Sequence, residues 1–262
     1  MRIIDDARIC LIFFTRLPVT WPEDLPRERI TRAFQAAPVV GLVTGFIGAL
    51  AYGLGMWLFD GSVHIAATLA VAAQVLTTGV FHEDGFADFF DGIGGGKSIS
   101  ERLEIMRDSR IGTFGGTALL LALILKIFLI AEIAQSWQAG LCLIISGTMG
   151  RTALVHVMTL LRPASEDGIS ASAGQPTPSE ATTATIIGAT ISGVAVLLAF
   201  QFSFIGPAFG TVLGTILGAG TIALAARKYL GGQTGDALGA CATTAELGAL
   251  AGLVALIPGF GA

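Results

Sequence analysis

The chain has 262 residues, of which 53% are hydrophobic and only 13% are charged, and its formal net charge is −4. Soluble globular domains carry about 25% charged residues, so this composition excludes an ordinary soluble fold and indicates a polytopic membrane protein. The sequence contains no basic patch with interleaved aromatic residues, which argues against nucleic-acid binding.

Residues 1–37 precede the first long apolar stretch and differ from it in pattern. Apolar residues in the segment 3–14 alternate with charged ones, which predicts an amphipathic helix lying at the membrane surface. Pro18 ends this helix, because proline disfavours the helical conformation of the residue before it. The early charges between Asp5 and Arg8 also argue against a cleavable signal peptide.

Seven stretches downstream are long and apolar enough to cross a hydrocarbon core, which needs about 20 helical residues. They cover residues 38–59, 63–80, 113–132, 139–160, 183–202, 204–226 and 237–257. Glycines recur at small-residue spacing, as at Gly41 and Gly45, and this spacing predicts close helix packing in lipid. We therefore predict an all-α fold, a membrane helical bundle of about seven transmembrane helices that forms a single domain over residues 1–262.

Basic residues fall on one side of this arrangement. Of the 15 Arg and Lys residues, Lys126 and Arg151 lie inside spans. The other thirteen lie in the N-terminal segment or in the segments after the second, fourth and sixth spans. By the positive-inside rule, these segments are predicted to face the cytoplasm from a bacterial inner membrane. Seven crossings would then place the C-terminus on the opposite side.

The most unusual polar segment is residues 82–92, which opens the predicted cytoplasmic segment 81–112. It holds four of the 19 acidic residues of the chain: Glu83, Asp84, Asp88 and Asp91. In a helix with about 100° per residue, the three aspartates fall within an arc of roughly 60°, with Glu83 at its edge. Like charges this close repel unless a cation neutralises them, and carboxylate oxygens suit Mg²⁺. The alternative is a solvated acidic loop, but three interleaved phenylalanines argue against it.

Two further segments fall on the predicted cytoplasmic side. The first contains Arg102, Arg107, Asp108 and Arg110, and its arginines could bind phosphate or, alternatively, anionic lipid. Arg107 and Arg110 are three residues apart and could share a helix face. The second is the glycine-rich stretch 231–236, which predicts a turn that aims Asp236 at a ligand; a plain loop is the alternative. His82 adjoins the acids and could act as a base or a ligand.

Charged residues also occur inside the predicted spans, where they are costly in lipid and usually face the protein interior. Lys126 has two candidate partners by sequence, Glu132 and Glu246, and the sequence does not choose between them. Together, the polar segments predict a membrane-embedded, metal-dependent enzyme that handles a phosphorylated substrate at the cytoplasmic face.

The chain resembles the cobalamin synthase family, the adenosylcobinamide-GDP ribazoletransferases, in four motifs that run through most of its length. The motifs are Phe14-Thr15-Arg16-Leu17-Pro18; His82-Glu83-Asp84-Gly85 with Ala87-Asp88 and Asp91-Gly92; residues 102–112 with Phe114-Gly115; and Gly231-Gly232 with Thr234-Gly235-Asp236. The resemblance implies that the α-ribazole hydroxyl, free or as the 5′-phosphate, attacks the phosphate on adenosylcobinamide. GMP leaves and adenosylcobalamin or its 5′-phosphate forms.

The resemblance also implies a requirement for Mg²⁺ and roles for the matching residues. Metal ligands are expected at Glu83, Asp84, Asp88 and Asp91. Catalytic roles are expected at Asp84, Asp88 and Asp91. From residue type and position alone, a catalytic role is also expected at His82, and substrate contacts are expected at Arg102, Arg107, Asp108, Arg110 and Asp236. The expected partners are the two small-molecule substrates and the lipid bilayer, and a homo-oligomer is compatible with the sequence.

Two other functions fit parts of the sequence. CDP-alcohol phosphotransferases also place aspartates at a cytoplasmic membrane face, but they carry an arginine after the motif alanine, where this chain has Asp88. A cation or metabolite transporter would show polar residues paired across the midplane and an internal repeat. The clustering of polar segments on one side argues against the transporter.

Overall fold

The computed structural model describes residues 3–20, 27–133, 136–165 and 173–257. Eleven α-helices follow one another in this part of the chain. They are α1 (Ile3–Phe14), α2 (Arg27–Ala33), α3 (Ala37–Leu58), α4 (Val63–Thr78), α5 (Phe81–Gly95), α6 (Ile99–Ile105), α7 (Thr113–Ala131), α8 (Ser136–Leu160), α9 (Pro178–Phe200), α10 (Ile205–Tyr229) and α11 (Gly235–Ala255). The described residues form no β-strand beyond one isolated bridge between Pro163 and Gln233. The predicted all-α fold is therefore confirmed.

Six stretches are long and apolar enough to cross a membrane. They cover Glu28–Leu58, Thr113–Ala131, Trp137–Leu160, Pro178–Ser203, Ile205–Tyr229 and Gly235–Ala255. Helices α4 and α5 pass the same test only as a pair that is bent by 90°, which gives seven spans if the pair counts as one. The polytopic helical bundle is confirmed, and each predicted span has a helix at its position.

The bend between α4 and α5 was not predicted and decides where the acidic segment lies. Gly79 (φ 64°) and Val80 (φ 67°) both adopt the left-handed conformation, which is rare for a β-branched residue such as Val80. The N–H of Gly79 bonds to the carbonyls of Val75 and Leu76 and so ends α4. Arg16 stabilises the bend, because its N–H donates to the Thr77 carbonyl at 2.7 Å and its side chain lies against Gly79. Helix α5 therefore turns away from α4 and reaches the starts of α7 and α11.

The interior of the bundle is built on α8 and α11, and small residues allow the helices around them to approach closely. Gly41 and Gly45 of α3 lie against the α8 backbone at Gly147 and Ile144. The facing glycines of α10 and α11 are Gly210 and Gly214 against Gly252 and Gly248. The predicted small-residue packing is therefore confirmed, and it matches the way helices associate in lipid.

The N-terminal helix α1 forms as predicted and is held against the protein by a buried carboxylate, and its location at the membrane surface stays a prediction. Ile3 and Ile4 are exposed, whereas Asp6 is fully buried. The Asp6 carboxylate accepts hydrogen bonds from Arg29 of α2 and, at 2.6 Å, from Gln35. Residues 1, 2 and 21–26 of the predicted interfacial segment lie outside the described residues.

Candidate active site

Helix α5 carries the acidic motif and crosses the start of α11 at a contact made by glycines. A Cβ atom added to Gly85 would lie 2.9 Å from the Asp236 Cα, and one added to Gly239 would lie 3.2 Å from the His82 carbonyl oxygen. A side chain at Gly85 would collide with the α11 backbone, and one at Gly239 would be tightly crowded, so glycine is favoured at both positions. The contact brings Asp236 from the glycine-rich stretch to the acidic segment, which the sequence did not predict.

Three carboxylates meet at this crossing: Asp84, Asp88 and Asp236, which we call the acid face. Asp84 is exposed, and the other two are half-buried. Burial first, and then the charges of Asp84 and Asp91, raise the pKa of Asp88 to about 6. The Asp236 carboxylate interacts electrostatically with Asp88 and Asp84. Such mutual repulsion is relieved by a proton or a bound cation.

The turn before α11 holds Asp236 in place. The Gln233 N–H donates to the Arg162 carbonyl and the Ala164 N–H donates to the Gln233 carbonyl, both at 2.9 Å. Thr234 caps α11 by accepting the Ala237 N–H at 3.1 Å. Asp236 therefore lies in the first turn of a helix, where the exposed N–H groups and the helix dipole favour negative charge.

Asp91 lies on α5 too, but its carboxylate caps a neighbouring helix. It is buried and accepts the Gly112 N–H at 2.7 Å and the Gly115 N–H at 2.8 Å. These amides stand at the start of α7, where four N–H groups have no partner within the helix. A Cβ atom at Gly112 or Gly115 would collide with the carboxylate, which explains both glycines of this motif. The sequence did not indicate this structural role, and a metal role for Asp91 stays a prediction.

Glu83 and His82 face the interior of the protein. Glu83 lines an internal cavity together with Lys126, Arg151 and Glu246, and so it does not join the acid face. His82 is only 3% exposed, and its ring packs 5.5 Å from the rings of Phe14 and Phe81. Burial, and second the Arg151 charge, lower the pKa of His82 to about 3, so the ring is neutral.

The arginines of the second motif play unequal roles. Arg102 anchors α6 to the end of α10, because its guanidinium donates to the Tyr229 carbonyl at 3.2 Å and lies 5.1 Å above the Tyr229 ring centre. The expectation that Arg107 and Arg110 share a helix face is wrong, because α6 ends at Ile105.

Asp108 shapes the segment that follows α6. Its carboxylate accepts the Arg110 backbone N–H at 3.1 Å and pairs with the Arg110 guanidinium at 2.6 Å. These hydrogen bonds lower the pKa of Asp108 to about 2. Arg107 lies in the same segment, after the end of α6, and its side chain is exposed.

The acid face offers the oxygen donors that Mg²⁺ prefers but does not form a closed cage. Within the described residues, no group of three His, Cys, Asp or Glu side chains is arranged as a ready metal site. Mg²⁺ keeps several water ligands and commonly needs only one or two carboxylates plus substrate phosphates. The donors at Asp84, Asp88 and Asp236 therefore fit an ion whose remaining coordination positions are filled by water and substrate phosphates.

Comparison with known proteins assigns the fold and its motifs to a family. The family model described as cobalamin-5-phosphate synthase matches residues 6–254. The chain belongs to this family. Proteins named adenosylcobinamide-GDP ribazoletransferase are similar to it: one from Mesorhizobium japonicum is 39% identical over 95% of this chain and 92% of its own length. One from Bradyrhizobium diazoefficiens is 40% identical, over 94% and 91% of the two lengths.

A more distant relative from Vibrio cholerae, with the same name, is 35% identical over 91% of this chain and 89% of its own length. No solved structure matches the chain. The resemblance drawn from the four motifs is confirmed, and the protein is a membrane-embedded transferase of the final assembly of cobalamin.

Proposed function

We propose that the protein transfers the adenosylcobinamide phosphate moiety from adenosylcobinamide-GDP to α-ribazole or its 5′-phosphate. GMP is released, and adenosylcobalamin or its 5′-phosphate is formed. The proposal is supported by the match to the family over residues 6–254 and by the names of relatives that cover most of the chain. The observation that carries it is the acid face, where Asp84, Asp88 and Asp236 from two motifs converge at the Gly85 contact.

We propose that Asp84 and Asp88, assisted by Asp236, hold Mg²⁺ together with the substrate phosphates. When bound, the ion neutralises phosphate charge that develops during transfer. A carboxylate of the acid face that is not coordinated to the ion would accept the proton of the attacking hydroxyl. Arg107 has an exposed guanidinium and can pair with a substrate phosphate, whereas Arg102 holds α6 in place.

We further propose that the acid face opens to the cytoplasm of a bacterial cell. The support is the distribution of basic residues, since the thirteen outside the predicted spans lie in the N-terminal segment and in three alternate connections. Helix α5 and the segment after it belong to one of these connections. Both substrates would then reach the site from the same compartment.

The decisive experiment measures GMP release by the purified full chain in detergent or nanodiscs. Both substrates are supplied, first with Mg²⁺ and then with EDTA. We expect release that needs adenosylcobinamide-GDP, α-ribazole phosphate and the metal together. GMP release in the absence of α-ribazole, or undiminished release in EDTA, would contradict the proposed reaction. A parallel assay with a CDP-alcohol and an alcohol acceptor tests the phosphoalcohol-transferase alternative, for which we expect no turnover.

A further inference from the structure

Directly behind the acid face, the bundle contains charged side chains buried between helices that are long and apolar enough to cross a membrane. The Lys126 ammonium lies 2.7 Å from one oxygen of Glu246, and the Arg151 guanidinium lies 2.7 Å from the other. The three side chains are between 5% and 10% exposed and connect α7, α8 and α11. Of the two candidate partners that the sequence offered for Lys126, Glu132 and Glu246, the structure therefore shows Glu246. Two cations share one carboxylate here, which leaves an excess of positive charge.

Glu83 of α5 supplies the second carboxylate. It lines the same cavity as Lys126, Arg151 and Glu246, and Lys126 is the charge with which it interacts most strongly. We call these four residues the interior charge cluster. It contains two acids and two bases contributed by four different helices. Lys126 and Arg151 are both paired with Glu246, whereas Glu83 makes no direct ion pair among the described residues and faces these cations across the cavity.

The cavity inside the cluster has a volume of about 20 Å³, which is sufficient for one water molecule. Its walls carry buried polar atoms that have no hydrogen-bond partner among the described residues. These atoms are Oε2 of Glu83, Nε of Arg151, both ring nitrogens of His82 and both amide atoms of Gln74. An internal water needs two to four polar partners, and this wall provides them.

The position of Glu83 fixes the rotation of α5 about its axis. Consecutive residues of an α-helix are about 100° apart, so a helix with Glu83 turned inward presents Asp84 and Asp88 outward. Rotating α5 to bring Glu83 to the acid face would leave Lys126 and Arg151 with Glu246 alone. Removing one partner from a set of buried charges is strongly destabilising. The interior charge cluster therefore resists the rotation.

We propose that Glu83 is a positioning residue, not a metal ligand: through the interior charge cluster and one internal water it holds α5 in the rotation that points Asp84 and Asp88 at the substrate. The proposal rests on the proposed function for the role of the acid face. The coupling between Glu83 and Lys126 is independent of that function, because it belongs to the folded protein without metal or substrate.

The test is a double-mutant cycle with Glu83→Gln, Lys126→Met and the double variant of the full chain. The first readout is the melting temperature in EDTA, and the second is the Mg²⁺ concentration that gives half-maximal GMP release. Each single variant leaves the cluster unbalanced, so we expect a lower melting temperature. We also expect the half-saturating Mg²⁺ concentration of Glu83→Gln to rise about tenfold, the scale of changes to residues that orient a metal ligand. The double variant keeps the neutral Arg151–Glu246 pair, so its melting temperature should recover most of the loss, whereas the half-saturating Mg²⁺ concentration should stay raised because Glu83 no longer holds α5.

Asp84→Asn is the matched control, because it removes a neighbouring carboxylate that lies on the acid face. It should lose activity without a lower melting temperature in EDTA, and Lys126→Met should not rescue it. A Glu83→Gln variant that behaves like Asp84→Asn would overturn the proposal. If Glu83→Gln is too unstable to purify, recovery of a folded double variant supports the proposal, and failure of both contradicts it. The melting temperatures can be measured even if no variant releases GMP. A failure of the proposed transferase function can therefore be told apart from a failure of the proposed role of Glu83.

Discussion

The four acids of the motif perform different tasks even though they lie within nine residues of one helix. Asp84 and Asp88 face outward with Asp236, Asp91 caps α7, and Glu83 faces the interior. The environment of each carboxylate decides its chemistry. A carboxylate whose oxygens accept two backbone N–H groups stabilises the fold, whereas a carboxylate crowded by like charges attracts protons or cations.

The raised pKa of Asp88 predicts how metal binding depends on pH. A carboxylate that binds Mg²⁺ must first lose its proton, so a pKa of about 6 opposes binding below pH 6. Between pH 7.5 and pH 5 we expect the Mg²⁺ affinity of the wild-type protein to fall about tenfold, since roughly nine-tenths of this group is protonated at pH 5. The measurement is the shift in melting temperature with increasing Mg²⁺ at each pH.

The metal-free protein should show the opposite trend, which provides an internal check on the sign. The folded state raises the Asp88 pKa above its ordinary value of 3.8, so it binds this proton more tightly than the unfolded chain does. This group therefore lowers stability as the pH rises from about 4 through 6. Asp88→Asn should flatten both trends. An Mg²⁺ affinity that stays constant across this range would show that Asp88 does not bind the ion.

At this scale the sequence showed which acids cluster along the chain but not which way each of them faces. Asp84, Asp88 and Asp236 come together, although nothing in their two separate motifs indicated this contact. The inward direction of Glu83 depends on Lys126 and Arg151, which stand 43 and 68 positions away in other helices. Such long-range partners determine which of two neighbouring residues on a helix faces the protein interior. The spacing of residues within one segment contains no information about these partners.

At the scale of elements, the link between α5 and α7 is the feature most directly open to mutation. Asp91→Ala would leave the Gly112 and Gly115 amides at the start of α7 without their acceptor. Hydrogen bonds to a charged group contribute about 1.5–3 kcal/mol each, so we expect a loss of roughly 3 kcal/mol or more in the free energy of unfolding. The measurement is the melting temperature in EDTA, where metal binding makes no contribution.

Asp84→Ala serves as the control, because Asp84 is an exposed acid on the same helix. It should leave the metal-free melting temperature unchanged or slightly higher, since it relieves repulsion at Asp88. The structural role of Asp91 would be refuted by an Asp91→Ala variant that melts like the wild type but no longer responds to Mg²⁺. That result would instead make Asp91 a metal ligand.

The positions of the long helices could be predicted from the sequence, whereas the conformation of several turns between helices could not. The predicted spans agree with the helices because apolar length is a property of a single segment. The left-handed conformation of Val80 has no local signal, since valine normally avoids it, and the Arg16 contact that supports the bend comes from a distant segment. After α6 ends, the Asp108 side chain accepts the Arg110 backbone N–H, a local contact that replaces the predicted helix face.

For the whole molecule, the number and direction of the membrane crossings depend on whether α4 spans the membrane. It has 16 residues, or about 24 Å of helix, which is short for a hydrocarbon core of about 30 Å. If α4 crosses the membrane, the exposed residue Asp60 before it and the exposed residue Lys97 after α5 lie on opposite sides. The basic residues then place Lys97 with the cytoplasmic segments.

Cysteine labelling tests this arrangement directly, because the three native cysteines, Cys10, Cys142 and Cys241, are buried. In intact spheroplasts, a membrane-impermeant maleimide should label Asp60→Cys and leave Lys97→Cys unlabelled. Permeabilisation should then expose Lys97→Cys to the reagent. Labelling of both positions from outside would mean that α4 and α5 form a re-entrant segment and that the acid face opens away from the cytoplasm. Because the substrates are expected in the cytoplasm, that outcome would also remove the support for a cytoplasmic active site.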